Sequence, residues 1–94
     1  MAMPKIQVVT LTLADTEYTV DIPDRTSKIM VQARTNVIVR SAWETGKVAT
    51  PTEPYMTIKA NKTYYDSDVK YSYGSKLYLA TPTAGTEVEV ITHN

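Results

Sequence analysis

Apolar and polar side chains alternate with a period of two along most of this chain, and this alternation constrains its fold more than any other feature. Tyr18, Val20 and Ile22 are separated by polar residues. Successive side chains of a β-strand point to opposite faces, so the pattern predicts half-buried strands. No segment shows the 3.6-residue period of an amphipathic helix. Other predicted inward-facing residues are Ile29, Val31, Ala33, Val37, Val39, Trp43, Met56, Ile58, Ala60, Leu77, Leu79, Val88 and Val90.

The first predicted strand, residues 5–13, breaks this regularity. Ile6 and Val8 fall in one phase, whereas Val9, Leu11 and Leu13 fall in the other. Either both faces of the strand are covered, or a bulge between Val8 and Val9 switches the inward face. We expect the bulge, or a strand that crosses from one sheet to another.

Turn-forming residues separate the predicted strands at short intervals, as at Pro23 and in the Pro82 to Gly85 segment. Residues 44–53 form the longest predicted loop, and we expect it to be mobile because it contains few apolar anchors. The phase of Trp43 predicts burial between the sheets. Ninety-four residues suffice for one domain, 1–94. The predicted fold is all-β, a compact antiparallel β-sandwich or jelly roll of about seven or eight short strands.

Composition argues against several classes of partner. Ten basic and ten acidic side chains cancel, so nothing provides the basic field on which nucleic-acid binding depends. The chain has no cysteine, which excludes disulfides and thiolate zinc sites. No stretch approaches the roughly 20 apolar residues that span a bilayer, and the start lacks the pattern of a secretory signal. We therefore expect no nucleic acid or membrane partner and a protein that is made and assembled in a cytoplasm.

Candidate catalytic and metal-binding residues are few. His93 is the only histidine, and we expect a position so near the terminus to fray, which would not hold a general base. Asp66 and Asp68 could face one cation, but calcium needs six to eight oxygen ligands, so we expect them to bind backbone amides in a turn. The sequence therefore predicts no enzyme activity, no cofactor and no metal site.

Tyrosine is concentrated near the middle of the chain, with five of the seven tyrosines between residues 64 and 78. Such rings are favoured in protein interfaces, they also cap sandwich edges, and flat rings can stack on sugars. Apolar residues of outward phase form a patch if the strands bring them together; these are Met30, Ile38, Tyr55, Tyr78 and Ile91. The predicted interface consists of Tyr64, Tyr65, Tyr71, Tyr73, Tyr78, Tyr55 and Ile38.

Three blocks, "KIMVQARTNVIVRSAWETG", "PYMTIKANKTYYDSD" and "SKLYLATPTAGTEVEVI", resemble small structural proteins of tailed-bacteriophage virions. The resemblance covers residues 27–92, and it departs from the expected pattern at Ala60-Asn61, where a glycine often precedes the aromatic. Asn tolerates positive φ, so the turn survives.

The resemblance to virion proteins implies a β-sandwich or jelly roll without catalytic residues. It also implies a capsid decoration or cement protein that binds the major capsid protein or another virion protein. The expected assembly is a homo-oligomer, with a trimer as the expected state, located on the virion. A tail, fibre or head–tail connector component, and a carbohydrate-binding module, are the alternatives.

Overall fold

The computed structural model describes residues 4–67 and 74–93, which contain eight β-strands and no helix. The strands are β1 (Lys5–Leu11), β2 (Tyr18–Asp21), β3 (Lys28–Ala33), β4 (Val39–Ala42), β5 (Met56–Ile58), β6 (Tyr64–Asp66), β7 (Lys76–Ala80) and β8 (Thr86–His93). Among the predicted interface residues, Tyr71 and Tyr73 lie outside the described residues, as does Asp68.

The strands form two four-stranded sheets in which all neighbours are antiparallel. Sheet A has the order β1-β8-β3-β6, and sheet B has the order β2-β7-β4-β5. The first strand pairs with the eighth, the second with the seventh, the third with the sixth and the fourth with the fifth. This is the order obtained when a long antiparallel hairpin is rolled up, and it defines an eight-stranded jelly roll. The prediction of an all-β sandwich is confirmed.

The core lies between the two sheets and consists of the side chains that the period-two pattern assigns to the inward faces. Burying this apolar surface is the main favourable term for folding. The fully or almost fully buried members are Leu11, Val20, Ile22, Ile29, Val31, Val39, Ile58, Leu77, Leu79, Val88 and Val90.

Strand β1 contains no bulge, so the prediction of one between Val8 and Val9 is wrong. Each residue from Lys5 to Leu11 has its own partner on β8, in an unbroken antiparallel register. Leu11 is buried in the core and Val9 packs against it, whereas Ile6 and Val8 point outward and are 63% and 45% exposed. The two phases therefore belong to two faces, of which the outer one is uncovered at these positions.

The β4–β5 loop folds over the outer face of sheet B. Val48 is completely buried there, in contact with Ala42 and Ala80. The Arg40 side chain, on the same face, donates from Nε to the Val48 carbonyl oxygen at 2.7 Å and from a terminal nitrogen to Asp15 Oδ1 at 2.7 Å. The expectation of a loop with few anchors is therefore wrong.

A second attachment holds the start of this loop to the β1–β2 connection. Glu17 accepts a hydrogen bond from the Thr45 hydroxyl at 2.7 Å and another from the Gly46 backbone N–H at 2.8 Å. Gly46 has φ +82°, a conformation that a side chain at Cβ would strain. The glycine lets the backbone turn its N–H toward the carboxylate.

Trp43 is 42% exposed, so the prediction that it is buried between the sheets is wrong. It has the inward phase of Val39 and Ser41, as the pattern indicated. However, β4 ends at Ala42, and Trp43 is the first residue of the loop. The ring therefore lies at the open side of the sandwich rather than inside it.

The turn between β5 and β6 places Asn61 in the positive-φ conformation that glycine adopts most readily. Asn61 has φ +62°, and the following Lys62 N–H donates to the Lys59 carbonyl oxygen at 3.0 Å. Asn is one of the few residues with a side chain that adopts this left-handed region readily.

Candidate functional site

Four apolar side chains, one from each strand, form a continuous row across the outer face of sheet A. Ile6 on β1 lies opposite Ile91 on β8, Ile91 lies opposite Met30 on β3, and Met30 lies opposite Tyr65 on β6. We call these four residues the apolar row. Directly opposed side chains on neighbouring strands have Cβ atoms about 5 Å apart, so the four side chains are contiguous. The row crosses the whole sheet, over about 14 Å.

The apolar row is accessible to a partner. Ile6 and Tyr65, at its two ends, are 63% and 55% exposed, and Met30 and Ile91 between them are half-buried. Val8 continues the apolar surface by one step along β1. Large exposed apolar residues are unremarkable when scattered, but a contiguous group on one face indicates a surface that binds another molecule.

Polar and charged residues lie on both sides of the apolar row. On one side Glu89 accepts a hydrogen bond from Gln32 Nε2 at 2.7 Å and one from Arg34 Nε at 2.9 Å. Arg34 also forms an ion pair with Glu87 at 3.5 Å. On the other side Lys28 lies opposite His93 in the β3–β8 register.

The hydrogen bonds to Glu89 keep it ionised. The amide of Gln32 and then the guanidinium of Arg34 hold the pKa of the Glu89 carboxyl below its ordinary value, and the Glu89 contact raises the pKa of Arg34. One flank of the row therefore carries a fixed carboxylate, whereas the other carries a lysine and an imidazole.

The structure does not gather the predicted interface residues on one surface. Tyr65 belongs to the apolar row, whereas Tyr64 points the other way, packs against the core and donates its hydroxyl to Asp66 at 3.0 Å. Tyr55, at the end of the β4–β5 loop, and Tyr78 pack against the cluster that contains Val48. Ile38 is exposed just before β4, at 38%.

The residues that sequence reasoning missed are Ile6 and Val8. The sequence carries a signal for them, because apolar residues in the phase opposite to the core are typical of a strand whose outer face binds a partner. The same pattern is also typical of a bulge. Met30 and Ile91 were recognised as outward-facing. Only the register of three strand pairs shows that these two residues lie side by side with Ile6 and Tyr65.

A second candidate site is an aromatic groove at the open side of the sandwich, between β4–β5 and β6. It has a volume of about 230 Å³. Its lining residues are Ser41, Ala42, Trp43, Glu44, Pro54, Tyr55, Met56 and Tyr64. The Oγ atom of Ser41 is buried and has no hydrogen-bond partner within the described part of the chain. A buried hydroxyl without a partner is costly and could be satisfied by a ligand.

His93 does not lie at a frayed end, so that expectation is wrong. It is the last residue of β8, it is half-buried, and its carbonyl oxygen accepts a hydrogen bond from the Ser27 N–H at 2.7 Å. Residues 4–67 and 74–93 contain no cluster of three histidine, aspartate or glutamate side chains that could hold a metal ion. The same residues contain no helix that could cross a membrane. The expectation that the protein is not an enzyme stays a prediction.

Comparison of the chain with protein-family models, with curated proteins and with solved structures found no match.

Proposed function

We propose that this protein is a non-enzymatic structural component of a tailed-bacteriophage virion that decorates the outer surface of the head. The observation that carries the proposal is the apolar row, Ile6, Ile91, Met30 and Tyr65, which crosses a whole sheet face and stays accessible. Such a surface suits a protein that acts by assembling with other protein chains, copies of itself included.

The fold is compatible with this role. Eight strands in jelly-roll order recur in viral capsid domains, although they also occur in lectin domains and other proteins. A fold alone does not define a function, so the strand order is consistent with a capsid protein and with a lectin but does not decide between them. The resemblance of three sequence blocks to virion proteins favours the capsid class over the others.

The copy number in the virion separates the proposed decorating role from the alternative role in a tail, fibre or connector. As a cement protein, the chain is expected in purified virions at a copy number close to that of the major shell protein. As a tail, fibre or connector component, it is expected at a small number that matches the symmetry of those structures. Quantitative mass spectrometry of virions purified from the phage that encodes it distinguishes the two. Absence from the particles would overturn both the decorating role and the tail, fibre or connector role.

Loss of the gene tests the decorating role directly. Particles without a cement protein are expected to assemble, package DNA and then release it at a lower temperature than wild-type particles. Adding back the purified protein is expected to restore the release temperature. Failure to assemble any shell would contradict decoration and favour a role in building the head.

The contact with the shell is expected to involve the tyrosine-rich segment. Replacing Tyr71 and Tyr73 with serine asks whether the folded variant still joins particles that lack the protein. Reduced incorporation is expected, because tyrosine buries much area at small entropic cost in interfaces. Unchanged incorporation would remove these two residues from the contact.

A second candidate function, carbohydrate binding, is favoured by the aromatic groove. Trp43, Tyr55 and Tyr64 provide flat rings, and Glu44 with the unpartnered Ser41 hydroxyl provides polar groups. Trp43 is the only tryptophan of the chain, so its fluorescence reports directly on the groove. A change in Trp43 fluorescence on titration with one of a panel of bacterial surface glycans would support this function. The Trp43→Ala variant should then fail to bind that glycan in an independent assay. No spectral change with any glycan would eliminate it.

A further inference from the structure

We propose that the outer face of sheet A is a self-complementary interface between two copies of this chain, in which apolar row stacks on apolar row about a two-fold axis running along the row. This inference goes beyond the proposed function and does not depend on it. It assigns a role to Ile6, Ile91, Met30 and Tyr65 that concerns the protein in solution.

The two sheets differ in how their outer faces are covered. The outer face of sheet B receives the protein's own β4–β5 loop, which buries Val48 completely. On sheet A, the outward-facing Ile6, Val8 and Tyr65 remain 63%, 45% and 55% exposed. A sheet face that carries a contiguous apolar group is usually covered by another layer, and a second sheet packs well at about 10 Å.

The polar and charged side chains beside the apolar row favour a second copy of this face as the partner. The next outward-facing pair on one side of the row is Lys28 and His93. The next pair on the other side is Gln32 and Glu89. A two-fold axis along the row reverses the strand direction of the second copy. His93 of each copy then lies opposite Glu89 of the other, and Lys28 lies opposite Gln32, next to that same carboxylate. A second copy of this face is therefore a complementary partner.

The alternative axis, parallel to the strands, is less favourable. It would place Lys28 of one copy opposite His93 of the other, with no carboxylate in that line of residues. Ile6 would then lie opposite Tyr65 rather than opposite Ile6. The two arrangements therefore predict different neighbours for the same side chain, which makes them distinguishable by experiment.

The size of the face limits the affinity. Four strands about 4.8 Å apart, about six residues long on average with a rise of 3.3 Å per residue, present roughly 400 Å² per copy, or about 800 Å² in total. Stable interfaces bury about 1,200–2,000 Å², so this interface belongs to the weak, reversible class. We expect the dimer to appear at high micromolar protein concentration, and to be favoured where many copies are held close together.

The first experiment measures mass in solution by sedimentation equilibrium across a concentration series. The wild-type chain is expected to approach twice its 10.5 kDa mass as concentration rises. Ile6→Lys is expected to weaken association at least about tenfold, because two lysines then face each other across the axis. Leu13→Lys is the matched control, since Leu13 is equally exposed, at 61%, but lies outside the row. It should associate like wild type.

The second experiment identifies the axis by charge rescue. Ile6→Lys and Ile6→Glu are each expected to be monomeric, whereas an equimolar mixture should form a one-to-one dimer, because Ile6 faces its own copy. The axis parallel to the strands predicts no rescue from this mixture, since Ile6 then faces Tyr65. Rescue from a mixture of Ile6→Lys with Tyr65→Glu, and not from the first mixture, would overturn the proposed axis.

The third experiment uses the absence of cysteine from the chain. Single-cysteine variants Ile6→Cys and Met30→Cys are expected to form covalent dimers with a short thiol-to-thiol cross-linker. Thr10→Cys lies on the same strand face as Ile6 but four residues away, about 13 Å from the row, and should not be cross-linked. Equal cross-linking of all three variants would indicate random collision.

Three results would overturn the proposal. A strictly monomeric wild-type chain at millimolar concentration, a trimeric mass, or a dimer that Ile6→Lys does not affect would each do so. A monomer whose Ile6→Lys variant fails to join phage particles would assign the apolar row to a different virion protein. Self-association with no copies in any virion would retain this inference and contradict the proposed function.

Discussion

Replacing Arg40 with methionine should release the β4–β5 loop from sheet B. Methionine keeps most of the aliphatic stem and removes the guanidinium, which makes short hydrogen bonds to the Val48 carbonyl oxygen and Asp15 and a longer one, at 3.4 Å, to the Ala49 carbonyl oxygen. The Arg40 side chain is only 8% exposed, so water would not readily replace these contacts.

The expected cost follows from the burial of each partner. The bond to the Val48 carbonyl, made by a charged donor inside the protein, contributes about 2 kcal/mol. Asp15 is 59% exposed, so its ion pair contributes at most about 1 kcal/mol. The free energy of unfolding should therefore fall by about 3 kcal/mol. In a domain of this size that corresponds to a drop in melting temperature of about 12–24 °C.

Urea unfolding followed by circular dichroism measures the free-energy change, and trypsin cleavage after Lys47 measures loop release. Arg34→Met is the control, because Arg34 also pairs with carboxylates but its side chain is 42% exposed. It should cost less than about 1 kcal/mol. If Arg40→Met changed stability by no more than about 0.5 kcal/mol and left the cleavage rate unchanged, Val48 and the Glu17 hydrogen bonds would hold the loop without Arg40, and the reasoning would be refuted.

Three further predictions concern single positions. Trp43→Ala should cost about 2 kcal/mol in urea unfolding rather than the roughly 3–5 of a fully buried aromatic, because the residue is 42% exposed; a larger loss would place the ring in the core. A hydrogen bond from Lys76 lowers the pKa of Asp21, and one from Gln32 lowers the pKa of Glu89. The stabilisation from each carboxylate is therefore complete above about pH 5 and is lost as pH falls through the lowered pKa. Glu89→Gln should flatten the dependence of the urea midpoint on pH in that window, and an unchanged slope would contradict the assignment. Asn61→Gly should leave the melting temperature nearly unchanged, whereas Asn61→Val should cost about 1 kcal/mol or more, since φ is +62°; equal effects would argue against a left-handed turn.

The sandwich could be predicted from the sequence because apolar residues recur at every second position, which is the spacing at which a β-strand directs its side chains to one face. Val20, Ile29, Val88 and their equivalents alternate with polar residues, and each occupies the core face that its phase indicated. Strand order was not predictable in this way, because the alternation states which face a residue occupies but not which strand lies beside it. Trp43 shows a related limit, since the phase was right but the strand ended one residue earlier.

The candidate site was only partly predictable for the same reason. Met30 and Ile91 could be identified as outward-facing from phase alone, but the register decides that they are neighbours. Burial of Val48 could not be predicted either. A single valine in a loop gives no periodic signal, and its partner face on sheet B is formed by strands distant in sequence.

The position of β8 has a consequence for how the chain acquires its structure during synthesis. All four strands of sheet B lie between residues 18 and 80, so that sheet can be complete before β8 leaves the ribosome. Sheet A cannot be complete at that stage, because β8 lies between β1 and β3. Lys5, for example, cannot pair until Thr92 has been synthesised. Until then β1 has no partner in sheet A and its apolar side chains are uncovered. A nascent chain paused between β7 and β8 is therefore the stage at which this protein is most exposed to aggregation or to capture by a chaperone.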